Sequence, residues 1–181
     1  MIKKILIAGF GGQGILFAGK ALAHASMLLD MEVSWFPSYG PEARGGTSYC
    51  SVIVSDAPIG SPIVSNPDIL ICMNGPSLDK FEGSAAPGGL IMADNSLITR
   101  SVTRGDVKAV EIPATSLADE NGLRGLANMV MIGRLLAETD LFEFGFFKGT
   151  VEDVVSEGKK NLVEANVRAL EIGHEWKGVF A

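Results

Sequence analysis

The sequence has few of the residues that hold metal clusters: only 2 cysteines occur among its 181 residues, and they are not close in sequence. Two thiolates cannot complete an iron–sulfur cluster or a four-cysteine zinc site. Cys50 and Cys72 both lie in apolar stretches, where we expect each thiol to be a buried, small hydrophobic side chain. The lack of a disulfide framework is typical of a reducing compartment, so a cytoplasmic protein is expected.

Basic residues are outnumbered as well. Lysine and arginine total 15 against 21 acidic residues, which leaves a net charge of −6. This balance disfavours nucleic acid and anionic membrane surfaces as partners. No run approaches the ~18 apolar residues of a membrane span, and glycines interrupt the stretch after the N-terminal lysines, where a signal peptide would be apolar. The mean hydropathy of +0.28 is nevertheless high, which indicates a large core or an apolar surface that a partner covers.

The hydrophobic pattern predicts an α/β protein. We expect a Rossmann-like, doubly wound and mostly parallel sheet with helices on both faces, formed by residues 1–181 as a single domain. Short apolar runs predict strands at 2–8, 32–36, 48–55, 68–73, 89–93 and 107–112. Helical periodicity predicts helices at 15–30, 77–81, 114–121, 126–138 and 160–176. Thr150 and Asp153 have the spacing of a capping box, so another helix is expected to begin at Thr150.

A glycine loop joins the first predicted strand to the first predicted helix, with the sequence Gly9-Phe10-Gly11-Gly12-Gln13-Gly14. In this context Gly9 permits a tight turn, Gly11 lets the backbone approach a bound group, and Gly14 allows close packing of the helix on the sheet. The free N–H groups at the start of the helix favour an anion.

The residues at the end of the second predicted strand indicate whether the glycine loop binds a dinucleotide. A nicotinamide or flavin site needs an acid there to hold the ribose, but this sequence has Trp35-Phe36-Pro37-Ser38. Asp30 and Glu32 lie at the opposite, amino end. NAD is therefore disfavoured, and two interpretations stay open: a tight structural turn, or a site for another phosphate-bearing ligand.

The segment 38–48 is the most unusual part of the chain. Arg44 stands beside Gly45 and Gly46, so a guanidinium and unobstructed backbone N–H groups are available to an anion. Glu42 can orient Arg44 or neutralise it. The alternative is a rigid loop whose Arg–Glu pair faces solvent or a partner subunit.

These motifs together resemble the gamma subunit of 2-oxoacid:ferredoxin oxidoreductases, the group that acts on pyruvate, 2-oxoglutarate or ketoisovalerate. The resemblance runs from Ile2 to about Leu136 and keeps the order of the motifs. It rests on the glycine loop, on Tyr39-Gly40-Pro41-Glu42-x-Arg44-Gly45-Gly46, on Val54-Ser55-Asp56 with Ile59-x-Ser61-Pro62, and on Asn128-Met129-Val130-Met131-x-Gly133.

The resemblance implies a non-autonomous enzyme subunit. Enzymes of this family oxidatively decarboxylate a 2-oxoacid, transfer the acyl group to coenzyme A and pass electrons to ferredoxin. Thiamine diphosphate, magnesium and iron–sulfur clusters are then expected on partner chains, namely thiamine-binding alpha- and beta-type subunits and a ferredoxin-like subunit. This chain is expected to bind none of these cofactors alone, to carry no catalytic or metal-binding residue, and to contribute to assembly and to the coenzyme A side of the active site.

Candidate residues follow from the motifs. The candidate cofactor-binding residues are Gly9, Gly11, Gly12, Gln13, Gly14, Arg44, Gly45, Gly46 and Thr47. The candidate interface residues are Tyr39, Glu42, Asn128, Met129 and Met131. Core packing is the first interpretation for this helix face, but the two methionines also suit an adaptable interface. Asn128 is costly to bury unpaired, which favours a cap or a hydrogen bond across subunits.

Three other functions compete with this one. The first is the small subunit of an indolepyruvate oxidoreductase, which differs in substrate. The second is a free-standing dinucleotide-binding reductase, which the missing ribose acid disfavours. The third is an assembly module that contacts no ligand.

Overall fold

The computed structural model describes residues 1–38, 47–155 and 162–178, and these residues form six strands and six α-helices. The strands are β1 (Ile2–Gly9), β2 (Glu32–Ser38), β3 (Ser48–Ser55), β4 (Ile69–Cys72), β5 (Leu90–Asp94) and β6 (Lys108–Ile112). The helices are α1 (Ile15–Leu28), α2 (Gly75–Phe81), α3 (Ala114–Glu120), α4 (Ala127–Glu138), α5 (Phe144–Val154) and α6 (Val163–Glu175).

The strands form one sheet in the order β2-β3-β1-β4-β5-β6. Neighbours from β1 to β6 are parallel, whereas β3 is antiparallel to both β1 and β2. Five strands therefore run in one direction and β3 alone runs against them, so the expected mostly parallel sheet is confirmed.

β3 separates the first two strands of the sheet. β1, α1 and β2 follow one another in the chain as the opening of the doubly wound pattern, but β3 lies between β1 and β2, with Ser55 opposite Ile2 on one side and Glu32 on the other. Burial explains this order. Almost every residue of β3 is buried, whereas β2 is only partly covered, so the more apolar strand takes the interior position.

Alternate residues of the central strands enter two separate apolar layers. Ile5 and Ile7 of β1 belong to the larger core, which includes residues of α1 and of α3 to α6. Leu6 points to the opposite face, where it belongs to the same cluster as Leu78 of α2. Helices therefore cover both faces, as the pattern of short, fully apolar runs predicts.

The start of α5 differs from the sequence prediction. The helix begins at Phe144, and the Glu143 carboxylate accepts hydrogen bonds from the N–H groups of Gly145 and Phe146 at 2.8 and 2.6 Å. Thr150 lies inside the helix, buried, with its hydroxyl donating to the Phe147 carbonyl. The predicted capping box at Thr150 is wrong, because the fully buried Phe147 holds an additional helical turn against the core.

The α4–α6 crossing brings two backbones into direct contact. A Cβ built on Gly133 would lie well inside van der Waals distance of the Leu170 carbonyl oxygen, and one built on Gly173 would meet the Val130 carbonyl oxygen in the same way. Both glycines are therefore required by packing. No helix in the described part of the chain is long and apolar enough to cross a bilayer.

A buried carboxylate anchors the connection between β5 and β6. Glu82 follows α2, and its Oε1 accepts the N–H of Thr103 at 2.5 Å and the Thr103 hydroxyl at 2.9 Å. Its Oε2 pairs with the Arg100 guanidinium at 2.7 Å. Burial by itself raises the pKa of Glu82, but these hydrogen bonds and the Arg100 charge outweigh it, so the pKa lies below its ordinary value.

This arrangement predicts an acid-dependent loss of stability. A carboxylate with a lowered pKa in the folded state stabilises the protein above its unfolded pKa, and the contribution disappears as the pH falls through the folded value. The difference in free energy of unfolding between the wild type and Glu82→Gln should therefore be largest near neutral pH and shrink on acidification. Urea unfolding at a series of pH values measures it, with Glu152→Gln on the exposed side of α5 as the control. A difference independent of pH would contradict this role of Glu82.

Candidate ligand-binding site

The glycine loop connects the end of β1 at Gly9 to the start of α1. Gly12 and Gly14 have φ values of +95° and +71°, a conformation that other residues adopt only with strain. Gly14 has a second constraint, because a Cβ there would lie 2.6 Å from Nδ2 of Asn128. The loop therefore needs glycine at Gly14 for both conformation and space.

Gln13 fixes the loop to the neighbouring strand. Its Oε1 accepts the N–H of Phe10 at 2.7 Å and the Asn74 amide at 3.0 Å. Its Nε2 donates to the Met73 carbonyl at 2.9 Å. The side chain thus joins the loop to the end of β4 and to the N-cap residue of α2. Both polar atoms of Gln13 are used within the protein, so its side chain positions the loop.

The backbone of the loop remains accessible. Gly11 and Gly12 are exposed, and a Cβ on Gly12 would meet no atom within 4 Å. Gly9 is different: a Cβ there would lie 2.7 Å from Oε1 of Gln13 and 3.0 Å from Cβ of Met73. Gly9 therefore permits the Gln13 contacts, while Gly11 and Gly12 present backbone to a ligand.

The loop lies at the switch point of the sheet. The chain passes from β1 through α1 towards β2 on one side, and from β4 through α2 to β5 on the other. In open α/β sheets the carboxyl ends of two such strands leave a crevice that binds ligands. The ends of β1 and β4 meet where Gln13 contacts Met73.

A crevice of about 260 Å³ opens beside this point. Its described lining residues come from the glycine loop, the ends of β4 and β5, and the α3–α4 region: Gly12, Gln13, Met73, Leu97, Thr115, Ala118, Asp119, Arg124, Gly125 and Ala127. We refer to it as the switch-point crevice.

A buried carboxylate shapes the α3 side of the crevice. Asp94 ends β5 and is fully buried. One oxygen, Oδ1, accepts the N–H of Ser96 at 3.1 Å, and the other, Oδ2, accepts the Thr115 hydroxyl at 2.5 Å. This carboxylate places the first turn of α3 against the carboxyl edge of the sheet, so Thr115 reaches the crevice.

Arg124 is the crevice residue that sequence reasoning missed. It sits in the turn between α3 and α4, flanked by Gly122 and Gly125 with φ values of +70° and +87°. Leu123 is buried beside it, whereas Arg124 is exposed. It forms no ion pair or side-chain hydrogen bond with any residue in the described ranges. Its position one residue before a glycine, in a turn after a predicted helix, is the signal that could have found it.

The second predicted loop lies mainly outside the described residues. Arg44, Gly45, Gly46, Tyr39 and Glu42 all fall within 39–46. Thr47 is described and lies half-buried immediately before β3. The roles that the motifs predict for these positions stay predictions.

The structure places the candidate interface residues of α4 inside the chain. Met129 and Met131 are fully buried in the larger core, so neither side chain offers a surface to a partner. Asn128 is also buried, and its Nδ2 donates to the Gly14 carbonyl at 3.0 Å. Its Oδ1 has no hydrogen-bond partner. Asn128 therefore joins α4 to the start of α1 within the same chain.

The thiols are poorly suited to chemistry. Burial raises the pKa of Cys50 to about 12 and raises that of Cys72 as well, so both thiols stay protonated and unreactive. The described residues contain no group of three side chains arranged to hold a metal ion. His24 lies 3.3 Å from Asp153, and His174 stacks on Phe144; neither lines the switch-point crevice.

Comparison with known proteins agrees with this geometry. The family model described as pyruvate ferredoxin/flavodoxin oxidoreductase matches residues 4–176. Subunit VorA of ketoisovalerate oxidoreductase from Methanothermobacter thermautotrophicus is 42% identical over 175 residues, covering 96% of this chain. The chain spans 36% of that relative's length.

Two solved structures share the fold. The gamma subunit of a keto/oxoacid ferredoxin oxidoreductase from Geobacter sulfurreducens has a TM-score of 0.84 at 29% identity, over 97% of this chain and 95% of that one. The 2-oxoglutarate:ferredoxin oxidoreductase from Magnetococcus marinus, with 2-oxoglutarate, coenzyme A and succinyl-CoA bound, has a TM-score of 0.83 at 25% identity. That match covers 95% of this chain and 30% of the other.

The class of protein is thus an α/β domain with the gamma-subunit fold, which confirms the expected architecture. The chain belongs to the pyruvate ferredoxin/flavodoxin oxidoreductase family. The resemblance inferred from the glycine and arginine loops is confirmed.

Proposed function

We propose that this chain is the gamma subunit, or gamma-type domain, of a 2-oxoacid:ferredoxin oxidoreductase. The complete enzyme would oxidatively decarboxylate a 2-oxoacid to an acyl-CoA and pass the electrons to ferredoxin. Family membership along almost the whole chain supports this proposal, as do relatives that act on ketoisovalerate and 2-oxoglutarate. An indolepyruvate oxidoreductase subunit and a free-standing reductase are not favoured.

The redox and decarboxylation chemistry would reside on partner subunits. We assign thiamine diphosphate, magnesium and the iron–sulfur clusters to alpha- and beta-type chains and a ferredoxin-like chain. Cys50 and Cys72 are buried with raised pKa values, so they are unsuited to ligating a cluster. As free thiols they fit a cytoplasmic location.

Partner chains have an exposed apolar edge to pack against. Trp35 and Phe36 lie on β2, at the edge of the sheet, with 39% and 45% of their surface exposed. An edge strand with large apolar side chains is a liability in a free monomer. Its position immediately before the candidate interface residues Tyr39 and Glu42 supports a subunit interface on this side of the domain.

The contribution of this chain to the active site would be contact with coenzyme A. The observation that carries this proposal is the exposed backbone of Gly11 and Gly12 at the switch point of the sheet, which suits a phosphate. Because the net charge is −6, any attraction for a polyanion must come from local groups. Arg44, with the N–H groups of Gly45, Gly46 and Thr47, is the local cationic group that the second motif provides.

Arg44→Ala in the assembled complex tests this contact. A charge-assisted hydrogen bond to phosphate contributes enough that its loss should raise the KM for coenzyme A about tenfold. The KM for the 2-oxoacid and the assembly of the complex should not change. Viologen reduction by several 2-oxoacids measures turnover, and Arg168→Ala on the exposed side of α6 is the matched control.

Two results would decide against the proposal at different levels. An unchanged KM for coenzyme A in Arg44→Ala would exclude a direct contact by this residue. A purified complex that reduces viologen with none of the 2-oxoacids would overturn the assignment as a 2-oxoacid oxidoreductase.

A further inference from the structure

We propose that the switch-point crevice binds the adenosine phosphate end of coenzyme A, with Arg124 as its phosphate ligand. This inference rests on the proposed function, because it presumes that coenzyme A approaches this chain. It goes further by assigning the nucleotide end of the ligand to a site on the α3–α4 side of the glycine loop, and by assigning a role to a residue outside the two sequence motifs.

The size of the crevice selects a fragment of the ligand. Pockets that enclose a whole drug-sized molecule are usually about 300–1,000 Å³, and the switch-point crevice is smaller, at about 260 Å³. It therefore accommodates part of coenzyme A, and the remainder must extend beyond it. Because the crevice begins at Gly12 and Gln13, a ligand held there lies alongside the accessible backbone of the glycine loop.

The walls of the crevice suit a purine. Met73, Leu97, Ala118 and Ala127 supply apolar atoms on several sides. Leu97 is notable because 45% of its surface is exposed, although it lies only three residues after β5 ends at Asp94. A flat aromatic ring packed against Leu97 would remove this apolar surface from water, which favours binding.

Two charged side chains of the crevice, Asp119 and Arg124, are unpaired within the described ranges and of opposite charge. Asp119 and Arg124 both line it, and both are exposed. Within the described ranges they form no ion pair with each other or with another side chain. A carboxylate accepts hydrogen bonds from ribose hydroxyls or from the adenine amino group, and a guanidinium binds phosphate through two parallel hydrogen bonds. A nucleotide satisfies both groups, because its ribose or base donates to Asp119 and its phosphate accepts from Arg124, whereas the pantetheine arm has no anion for Arg124.

The protein holds Arg124 at the crevice without using its charge. The turn that carries it is fixed by the positive φ values of Gly122 and Gly125 and by the buried side chain of Leu123. The N–H of Leu123 donates to the Ala118 carbonyl, and that of Leu126 to the Leu123 carbonyl. Since Arg124 takes no part in this packing, its side chain is free to meet a phosphate and its removal should leave the fold intact.

The test uses the assembled oxidoreductase with Arg124→Ala, Arg124→Lys and Leu97→Ala, and Arg168→Ala as the control. Arg124→Ala should raise the KM for coenzyme A about tenfold and weaken competitive inhibition by adenosine 3′,5′-bisphosphate by a similar factor. The kcat at saturating coenzyme A and the KM for the 2-oxoacid should be unchanged. Arg124→Lys should retain part of the affinity, and Leu97→Ala should raise the KM a few-fold.

Truncated acceptors distinguish the phosphates. Turnover with pantetheine, which has no adenosine phosphate, should be the same in the wild type and in Arg124→Ala. If Arg124→Ala does not weaken the binding of 3′-dephospho-coenzyme A, Arg124 binds the 3′-phosphate. If Arg124→Ala weakens the binding of 3′-dephospho-coenzyme A as much as that of coenzyme A, Arg124 binds the diphosphate. Either result supports the nucleotide site.

Other outcomes overturn it. Wild-type affinity for coenzyme A in both Arg124→Ala and Leu97→Ala, with affinity lost in Arg44→Ala, would leave the proposed function in place and exclude the crevice. If the Arg44 and Arg124 variants both bind coenzyme A as tightly as the wild type, neither arginine contacts coenzyme A. An equal loss with pantetheine and coenzyme A in Arg124→Ala would show a general disturbance of the active site, which also excludes the proposal.

Discussion

Replacing Gly133 or Gly173 by alanine is expected to lower the free energy of unfolding by about 3 kcal/mol, since each added methyl overpacks the α4–α6 crossing. The new Cβ would collide with the carbonyl oxygen of Leu170 or Val130, which are backbone atoms that no rotamer change can move. The two helices would have to separate, and Met129, Met131 and Leu170 would lose their packing in the larger core. Urea-induced unfolding followed by circular dichroism measures the effect.

Gly149 provides the matched control for this prediction. It lies in α5, is exposed, and a Cβ on it would meet no atom within 4 Å. Gly149→Ala should therefore raise the free energy of unfolding by up to about 1 kcal/mol, because alanine is the better helix former. If Gly133→Ala behaved like Gly149→Ala, the close α4–α6 crossing would be incorrect.

Gly14→Ala is expected to have the second large effect, lowering stability by about 2 kcal/mol or more and weakening coenzyme A binding by the complex. Alanine at a φ of +71° is strained, at a cost of about 1–2 kcal/mol. Its methyl would also displace the Asn128 amide, which bonds the Gly14 carbonyl. Both effects disturb the start of α1, where the glycine loop presents its backbone. Thermal unfolding and the KM for coenzyme A measure the two losses.

Gly12→Ala separates strain from collision. Gly12 also has a positive φ, but a Cβ on it meets no atom within 4 Å, so its variant should show only the strain. Gly14→Ala combined with Asn128→Ala should recover part of the loss, since the small side chain removes the collision. A double mutant whose losses simply add would contradict the contact between Gly14 and Asn128.

Much of the fold was predictable because its signals are local. The six strands appear as short apolar runs, and the glycine loop marks the turn from β1 to α1 within six residues. The start of α5 at Phe144, ahead of the predicted Thr150, was missed because Phe144, Gly145 and Gly149 are weak helix formers. The burial of Phe147 outweighs their propensity. The insertion of β3 between β1 and β2 was missed because hydrophobic runs specify strands but not their neighbours.

The candidate site also contains some features that the sequence predicted and others that only the structure revealed. Sequence identified the glycine loop, yet the role of Gln13 became visible only when its amide was found to connect Phe10, Met73 and Asn74. Arg124 carries no motif of its own and gains significance from the crevice that it lines. Sequence left both a core and an interface open for Met129 and Met131, and their burial shows that they are core residues.

The sequence by itself determined the α/β class, the family, the position of the phosphate-type loop, and the lack of enough cysteines for a cluster. These properties depend on residue types and spacings within short windows. Only the tertiary structure decided which strand lies beside β1, why Gly133 and Gly173 must be glycine, and that Arg124 faces the same crevice as Gly12. Each of those depends on contacts between segments far apart in the chain, and such contacts are set by which apolar surfaces bury one another when the sheet and its helices pack together.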